Sequence, residues 1–505
     1  MISLGKHLNR RVQVVLFTAM ARISSILKVQ GVVDSIRKQL DDRLAIDRRA
    51  MDVFRWALGC LLVLEFGGRM MVAEGLLSDQ GVFPFEIWQT FPHATWPWYS
   101  SILALSSSTL WIHVCLICGM VCSLMLIFGK QLRWVPWALL ILLHSLQARN
   151  PWTNYSADKL LFLLLFWACF VFAVQPDESR RATRWTGFPA WGLRLQLCVL
   201  YLFSVARKSG STWVEGTAVR YALEIDQYSQ PLGKWLLEGP MIWLQMLTWI
   251  TLLVEWFGPL MLLARSVRLR WMGVASLAFL QLGFLVTMDL GWFPWVCLLG
   301  LLPHVPLSHR KEGIQPLEVN VHAWGMSTRV AGWMVLWMLL WNLAMNFTYP
   351  DTLKSRLPSV LSRGIECLRM DQYWGMFSPN PMIHDGWFVI AATLSDGEVV
   401  DLLDPMRKEV WAKPLHVPAT FPGDRWREFI MMLYDYPDQA HLWSLVAKWF
   451  QHRWEQAHPG QSGVTSMRVV YMMEKTLPEG VASPEKEQLW PENPSGQGSS
   501  EPGDG

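Results

Sequence analysis

Long apolar stretches constrain this chain more than any other feature of its sequence. A bilayer hydrocarbon core about 30 Å thick needs roughly 20 apolar residues per helix. Nine segments reach or approach that length: residues 51–74, 108–129, 133–149, 155–175, 189–208, 241–265, 270–288, 291–304 and 328–347. The sequence therefore predicts an all-α polytopic membrane bundle of about nine spans, followed by a small extramembrane α/β module.

The loops between these segments alternate in charge. Lys and Arg are concentrated in residues 1–50 and in the loops that contain Lys130, Arg180, Arg265 and Arg310. Because cytoplasmic loops carry an excess of Lys and Arg, this pattern predicts a cytoplasmic N-terminus and a C-terminal module on the outside. The eighth segment is short, and the module changes sides if that segment does not cross.

The composition changes after the last apolar segment. An Asp396-Gly397 pair between two β-prone stretches predicts a hairpin, and a helical pattern follows it. The end of the chain is rich in Pro, Gly, Glu and Ser, which is typical of disorder. Four parts are predicted: a basic cytoplasmic N-terminal segment (1–50), a transmembrane domain (51–347), an extracytoplasmic α/β module (348–475) and a disordered tail (476–505).

Several function classes are disfavoured by composition and spacing. A net charge of +3, without a basic patch interleaved with aromatic residues, does not suggest nucleic-acid binding. The histidines show no paired ligand spacing and no Gly-rich phosphate loop is present, so neither a metal nor a nucleotide is predicted. Cys115 and Cys118 form a Cys-x-x-Cys pair inside an apolar stretch, which indicates small residues at a helix contact.

The residue types in segment 196–226 are compatible with a reactive site. An apolar helix is followed by Lys208 and a turn-rich stretch that contains Trp213 and Glu215. Burial beside apolar walls can turn a lysine into a neutral base or nucleophile. The alternative is that Lys208 extends to the headgroups as an interfacial anchor.

Other polar residues are expected to converge with Lys208 at the external membrane face. Asp158 begins the fourth span, where it could equally cap the helix. Gln281 and Asp289 lie in and after the seventh span. Glu255 lies inside a span, where a hydrogen bond to a neighbouring helix is the competing interpretation.

One further pair of ionisable residues lies within a predicted span. Glu65 and Arg69 are four residues apart, so they share one face of the first helix. Ionisable groups at membrane depth face the protein interior or a cavity. A structural ion pair is the favoured interpretation, and a catalytic role is the alternative.

Three motifs resemble the horizontally transferred transmembrane (HTTM) family, which includes the vitamin K-dependent γ-glutamyl carboxylase. They are YLFSVARKSGSTWVEGTAVRYAL, NYSADKLLFLLLF and DLGWFPW, and the resemblance covers roughly residues 48–310. It implies a helical domain with a cavity for a quinol. Residue for residue, Lys208 matches the lysine that deprotonates vitamin K hydroquinone in the carboxylase. Asp158 and Gln281 stand where the carboxylase has histidines. The resemblance therefore implies the fold and the quinol cavity more strongly than it implies the carboxylation reaction.

Two functions follow as hypotheses. In the first, the protein binds or oxidises a vitamin K- or menaquinone-type isoprenoid quinol, and carboxylates or otherwise modifies a substrate. Its catalytic residues would be Lys208, Asp158 and Glu215, and its lipid-binding residues Trp213, Gln281, Asp289 and Glu255. In the second, the helices form a non-enzymatic scaffold or lipid-binding platform in the bilayer. Residues 350–475 would then dock a protein partner. A transporter is a third possibility, since Pro259 and Pro294 could break helices.

Overall fold

A computed structural model describes most of the chain. The described residues are 35–36, 38–90, 101–106, 108–172, 183–307, 318–320, 335–341, 372–460, 463–478 and 480–491. The predicted basic segment 1–50 and the last predicted span, 328–347, lie largely outside them.

Helices account for most of the described structure. They are α1 (Arg48–Met71), α2 (Ala73–Leu77), α3 (Phe85–Thr90), α4 (Thr109–Ile127), α5 (Val135–Arg149), α6 (Ser156–Phe172), α7 (Phe188–Arg207), α8 (Ser211–Glu215), α9 (Ala218–Glu224), α10 (Pro231–Leu237), α11 (Met241–Leu262), α12 (Val267–Thr287), α13 (Phe293–Leu301), α14 (Asp424–Asp435) and α15 (Trp443–Ala457).

The strands form two sheets. They are β1 (Ile46–Asp47), β2 (Arg184–Thr186), β3 (Glu318–Asn320), β4 (His384–Leu394), β5 (Val399–Asp401), β6 (Val464–Leu477), β7 (Gly480–Val481) and β8 (Glu485–Trp490). The first sheet has the order β1-β2-β3, and the second has the order β5-β4-β6-β7 with β8 paired to β6.

Within the described residues, four helices are long and apolar enough to cross a membrane, and the expected nine spans are not supported. The four are α4, α7, α11 and α12. The other predicted spans that fall in the described region form helices that are shorter or more charged. α5 and α6 have 15 and 17 residues and α13 has only 9. α1 has 24 residues, but its sequence includes several charged side chains.

α11 and α12 form a helical hairpin that defines the two ends of the bundle. Glycines allow close contact between them, because a Cβ on Gly258 would lie 2.8 Å from the Leu277 side chain. Small residues permit such contacts between membrane helices. The end at Met241 and Thr287 faces the second sheet and is called the module side. The end at Leu262 and Val267 is called the sheet side.

The first sheet joins loops that the charge pattern predicts to lie on one side of the membrane. Strand β2 pairs antiparallel with β1 and parallel with β3. Arg194, fully buried, anchors this end, since its guanidinium donates to the carbonyls of Arg43, Ala45 and Leu262. The segments before α1, before α7 and after α11 therefore meet at the sheet side.

The C-terminal module is an antiparallel sheet covered by α14 and α15. β4 and β5 form the hairpin predicted at Asp396-Gly397, and β4 pairs along its length with β6. Strands β7 and β8 also pair with β6. They lie within the segment that is predicted to be disordered. That prediction is therefore wrong for residues 480–490. The turn-rich composition gave no sign of these two short strands, because both form by pairing with β6.

The core of the module extends into the helical domain. Its buried apolar residues form one cluster with residues of the loop after α1, including Leu76, Phe83 and Trp88, and with Trp152 before α6. The loop after α1 thus contributes to the module's core. Packing joins the two predicted domains through this shared cluster.

Candidate functional site

The helix that carries the Lys208 motif is discontinuous. α7 ends at Arg207, residues 208–210 break the helix, and α8 and α9 continue beside α11. Cys198 lies 3.7 Å from the Pro259 carbonyl, whereas the Val219 N–H donates to Thr248 Oγ1 at 3.1 Å. The three pieces therefore run antiparallel along α11. A broken backbone at this depth is tolerated where protein surrounds it.

Lys208 lies at that break, directly after the last residue of α7, as predicted. It meets α11 at Glu255, and Glu255 follows Met241 by fourteen residues, which corresponds to about 21 Å of helix. The chain turns at Lys208 but continues toward the module side as α8 and α9.

Three of the predicted site residues come together at the break. The Lys208 ammonium forms an ion pair with Glu255 and donates to Ser204 Oγ at 3.1 Å. It lies 4.9 Å from the centre of the Trp213 ring, a cation–π distance. Lys208 is 8% exposed and Glu255 is 4% exposed. The alternative of an anchor that reaches the headgroups does not describe this lysine.

Gln281 contacts α7, the helix that ends just before Lys208. Its amide donates to the Tyr201 hydroxyl at 2.8 Å, and Tyr201 is on α7. Both residues are almost completely buried. Gln281 is therefore one of the buried polar residues near the break. It lies on α12, whereas Glu255 lies on the neighbouring helix α11.

Glu215 is not part of this cluster. Its side chain is exposed, whereas Lys208 is buried. Among the described residues, the carboxylate that pairs with Lys208 is Glu255. Proximity in sequence suggested the wrong acid, because α8 directs Glu215 away from the break.

A segment of the C-terminal region, residues 372–380, covers the break and is called the docking segment. The Gly210 N–H donates to the Pro379 carbonyl at 3.0 Å, and the Trp213 indole donates to the Phe377 carbonyl at 3.0 Å. The Gln196 amide donates to Gln372 at 2.6 Å. Sequence reasoning assigned this segment to the external module, although its buried contacts are with the helical domain.

The docking segment also carries an unusual backbone conformation. Phe377 has φ of 56°, in the left-handed region that bulky residues rarely adopt. Its carbonyl receives the Trp213 hydrogen bond, and the next residues bring Asn380 against Thr212. The conformation is held by contacts to α8, next to Lys208.

Asp158 belongs to a second cluster, at the module side. Its carboxylate contacts Arg425 Nη1 at 2.5 Å and Arg69 Nη2 at 3.0 Å. Glu65 completes the network, 2.9 Å from Arg425 Nη2 and 2.8 Å from Arg69 Nε. All four side chains are buried. The structural Glu65–Arg69 pair predicted from sequence is confirmed, and Arg425 is the partner that sequence did not indicate.

Asp158 also supports the start of α6. Its Oδ2 accepts the backbone N–H of Tyr155 at 3.0 Å, as the third residue of a capping box does. The capping alternative is therefore correct in kind. Asp158 closes the helix end and at the same time binds an arginine from the module.

Asp289 is held by the same module helix. Arg427 Nη1 lies 3.1 Å from its carboxylate, two residues after Arg425 on α14. The Tyr155 hydroxyl donates to Asp424 at 2.9 Å and accepts the Trp292 N–H at 2.7 Å. The first turn of α14 thus binds the starts of α6 and α13. Asp158 and Asp289 converge on α14, and Lys208 lies deeper in the bundle.

A cavity of about 250 Å³ opens beside the start of α6. Its lining comprises Pro151, Asn154, Tyr155, Ser156, Asp158, Lys159, Tyr373 and Trp374. It therefore lies between the helical domain and the docking segment. Lys208 is not among the lining residues.

Three buried carboxylates meet between the helical domain and the module. Oxygens of Asp226, Asp385 and Glu474 lie within 4.8 Å of one another, a spacing compatible with a metal ion. Lys413 already provides a cation, with Nζ 2.5 Å from Asp226 and 2.6 Å from Glu474. Burial, with help from the neighbouring carboxylates, raises the pKa of Asp385 to about 7. This is a charge-compensated contact between the two parts of the chain.

Comparison with known proteins places the helical domain in a family. The model of the lipase maturation factor transmembrane domain matches residues 49–307, just over half of the 505 residues. The match is to this family and not to the HTTM family that the motifs suggested. No curated protein and no solved structure matches the chain. The chain is therefore a member of the family defined by the lipase maturation factor transmembrane domain.

Proposed function

We propose that this protein is a membrane-embedded maturation factor that binds a secreted lipase or a related protein without catalysing a reaction on it. The observation that carries the proposal is the insertion of α14 into the helical domain. Through Arg425 and Arg427, the module is attached to Asp158 and Asp289 by buried charges. A module held at a fixed position beside the bilayer suits a docking surface.

Three acidic residues of the predicted site support this choice. Asp158 and Asp289 bind module arginines and Glu255 binds Lys208, so each one joins two segments of the fold. Buried charges of this kind demand a partner, because an unpaired charge in the interior is costly. Their arrangement serves to hold the module, the docking segment and the helices together.

The side of the membrane follows from the charge pattern. The described cation-rich loops, which contain Lys130 and Arg265, lie at the sheet side, which would be cytoplasmic under the positive-inside rule. The module would then face outside, where a secreted client passes. A protease added to intact vesicles or cells should cleave a tag placed after residue 491 only if this orientation holds.

Co-expression with a secreted lipase tests the proposed function. We expect the lipase to be secreted with full activity per molecule only when the intact chain is present. Arg425→Gln should lower that specific activity several-fold, because it detaches α14. Arg453→Gln is the matched control, since Arg453 is an exposed arginine on the neighbouring helix α15. Equal lipase activity with and without the chain would refute the proposal.

A quinol site of the HTTM kind is the second candidate. It is supported by the buried Lys208–Glu255 pair beneath Trp213, at a helix break beside the docking segment. In this function, Lys208 would first pass a proton to the Glu255 carboxylate, and the neutral amine would then take a proton from a vitamin K- or menaquinone-type quinol. Purified protein should then consume quinol, Lys208→Ala should abolish the consumption, and Lys448→Ala, at an exposed lysine, should leave it unchanged. No consumption by the unaltered protein would remove this candidate.

A further inference from the structure

Helix α10 lies across the module-side ends of two membrane-crossing helices. The Gln230 N–H, just before α10, donates to the Thr287 carbonyl at the end of α12 at 3.0 Å. A Cβ at Gly233 would be 2.4 Å from the same carbonyl, so only glycine permits this contact. α11 begins at Met241, four residues after α10 ends. α10 is therefore at the level where the bilayer ends.

The outward face of α10 is apolar. Leu232 is 42% exposed and Trp235 is 56% exposed. The Trp235 ring lies 6.5 Å from that of Trp243, in the first turn of α11. Trp243 belongs to the exposed apolar face of a helix that crosses the membrane. Tryptophan is enriched at membrane–water interfaces, and these two indoles have that position.

A module loop reaches the same place. The Lys234 ammonium donates to the Leu415 carbonyl at 3.0 Å. Two residues earlier, Lys413 is bound to Asp226 and Glu474. Both contacts hold the loop beside α10, yet the Leu415 side chain is 96% exposed. The backbone of Leu415 is thus held beside α10 while its side chain points outward, next to the apolar face of α10.

We propose that Leu232, Trp235 and Leu415 form a corner that inserts into the headgroup layer of the bilayer. The extramembrane module then lies on the membrane surface along the edge that holds Lys413. The occupant is the bilayer, because the corner is continuous with the lipid-facing side of α11 through Trp243. Amphipathic helices bind this layer with an apolar face beneath and cationic groups above, as Lys234 provides. The inference does not depend on the identity of the client protein.

Cysteine labelling in vesicles tests the corner. Leu415→Cys and Glu398→Cys would each be introduced into the full chain and reconstituted in phosphatidylcholine vesicles. Glu398 is the matched control because it is exposed and follows β4, whose other end contacts Asp226 through Asp385. The nine residue steps from Asp385 to the end of β4 at Leu394 place this control about 30 Å from that contact. The unchanged chain supplies the blank for its native cysteines.

A charged, membrane-impermeant maleimide should modify Leu415→Cys at least tenfold more slowly than Glu398→Cys. In dodecyl sulfate the two rates should become equal. Adding Lys234→Gln should speed the modification at position 415, since the loop loses its contact to α10. Equal rates in vesicles would overturn the proposal. If modification at position 415 is slow but speeds up when the protein is diluted in lipid, a second copy of the chain covers Leu415. That result would overturn the proposal as well.

Discussion

Arg425 and Asp158 form a buried ion pair at 2.5 Å although they are 267 residues apart in the chain. Arg425 begins the module helix α14, and Asp158 begins the membrane helix α6. The same guanidinium also binds Glu65. The pair is the central link between the two parts of the protein. It is shielded from water, Asp158 also binds Arg69, and Arg425 also binds Glu65.

Replacing Arg425 with Gln should destabilise this link strongly. Glu65 and Asp158 would keep only Arg69 as a cation, and removing one partner of a buried pair costs about 3–5 kcal/mol. We expect a lower unfolding temperature in detergent and earlier proteolytic release of the module. Arg453→Gln, at an exposed arginine, should change stability by less than about 0.5 kcal/mol. An unchanged proteolysis pattern for Arg425→Gln would show that packing alone holds the module.

Lys208 and Glu255 should behave as one energetic unit. We expect Lys208→Met and Glu255→Gln each to destabilise the protein by roughly 3 kcal/mol, since each leaves a buried charge unpaired. The double variant should lose much less than the sum of the two. A double-mutant cycle on thermal unfolding in detergent measures this coupling. Additive effects would mean that the two side chains act independently.

Stability should fall as the pH rises from about 4 to about 7. Burial raises the pKa of Asp385 from 3.8 to about 7 in the folded protein, so the folded state binds a proton that the unfolded chain has released. The resulting stabilisation is complete below about pH 4 and is lost as the pH passes about 7. At 1.36 kcal/mol per pKa unit, the change is at most about 4 kcal/mol.

The groups that face Asp385 set the size of this effect. Asp226 and Glu474 oppose its ionisation, whereas Lys413 and the Asp226 backbone N–H favour it. Asp385→Asn should flatten the dependence of the unfolding temperature between about pH 4 and about pH 7. Glu428, whose pKa burial also raises to about 7, remains in both proteins, so the difference between them is the relevant measurement. Parallel curves would exclude Asp385 as the titrating group.

The contact between the docking segment and the helix break should not accept a side chain at Gly210. A Cβ there would lie 2.1 Å from Asn380 Oδ1, which accepts hydrogen bonds from the Thr212 N–H and hydroxyl. Gly210→Ala should therefore cost about 1–3 kcal/mol in stability. Gly283→Ala is the control, because nothing lies within 4 Å of its added Cβ. If both variants unfold at the same temperature, Asn380 moves aside without loss.

Several features of the fold follow from short-range sequence patterns. The Asp396-Gly397 turn gave the β4–β5 hairpin, and the spacing of Glu65 and Arg69 gave their ion pair. Both involve residues within one turn of structure, where backbone geometry alone decides the contact. The strand β8 was missed because its pairing with β6 depends on a strand that is already folded.

The number of spans depended on more than apolar content. α5 and α6 lie in predicted spans but are short, and α6 is buried along nearly its whole length. A helix surrounded by protein can be as apolar as one surrounded by lipid. Composition could therefore identify a membrane protein, but it could not separate the lipid-facing helices from those enclosed by others.

The sequence by itself determined that the chain is a membrane protein with an apolar helix that ends at Lys208 and a soluble-type module at its end. Apolar length, turn residues and β-prone alternation are local properties, and they need no partner. Only the tertiary structure decided which charges meet. Lys208 pairs with Glu255 across 47 residues, and Arg425 reaches Glu65 across 360. A buried charge must find an opposite charge wherever the packing supplies one, and sequence distance has no influence on that choice.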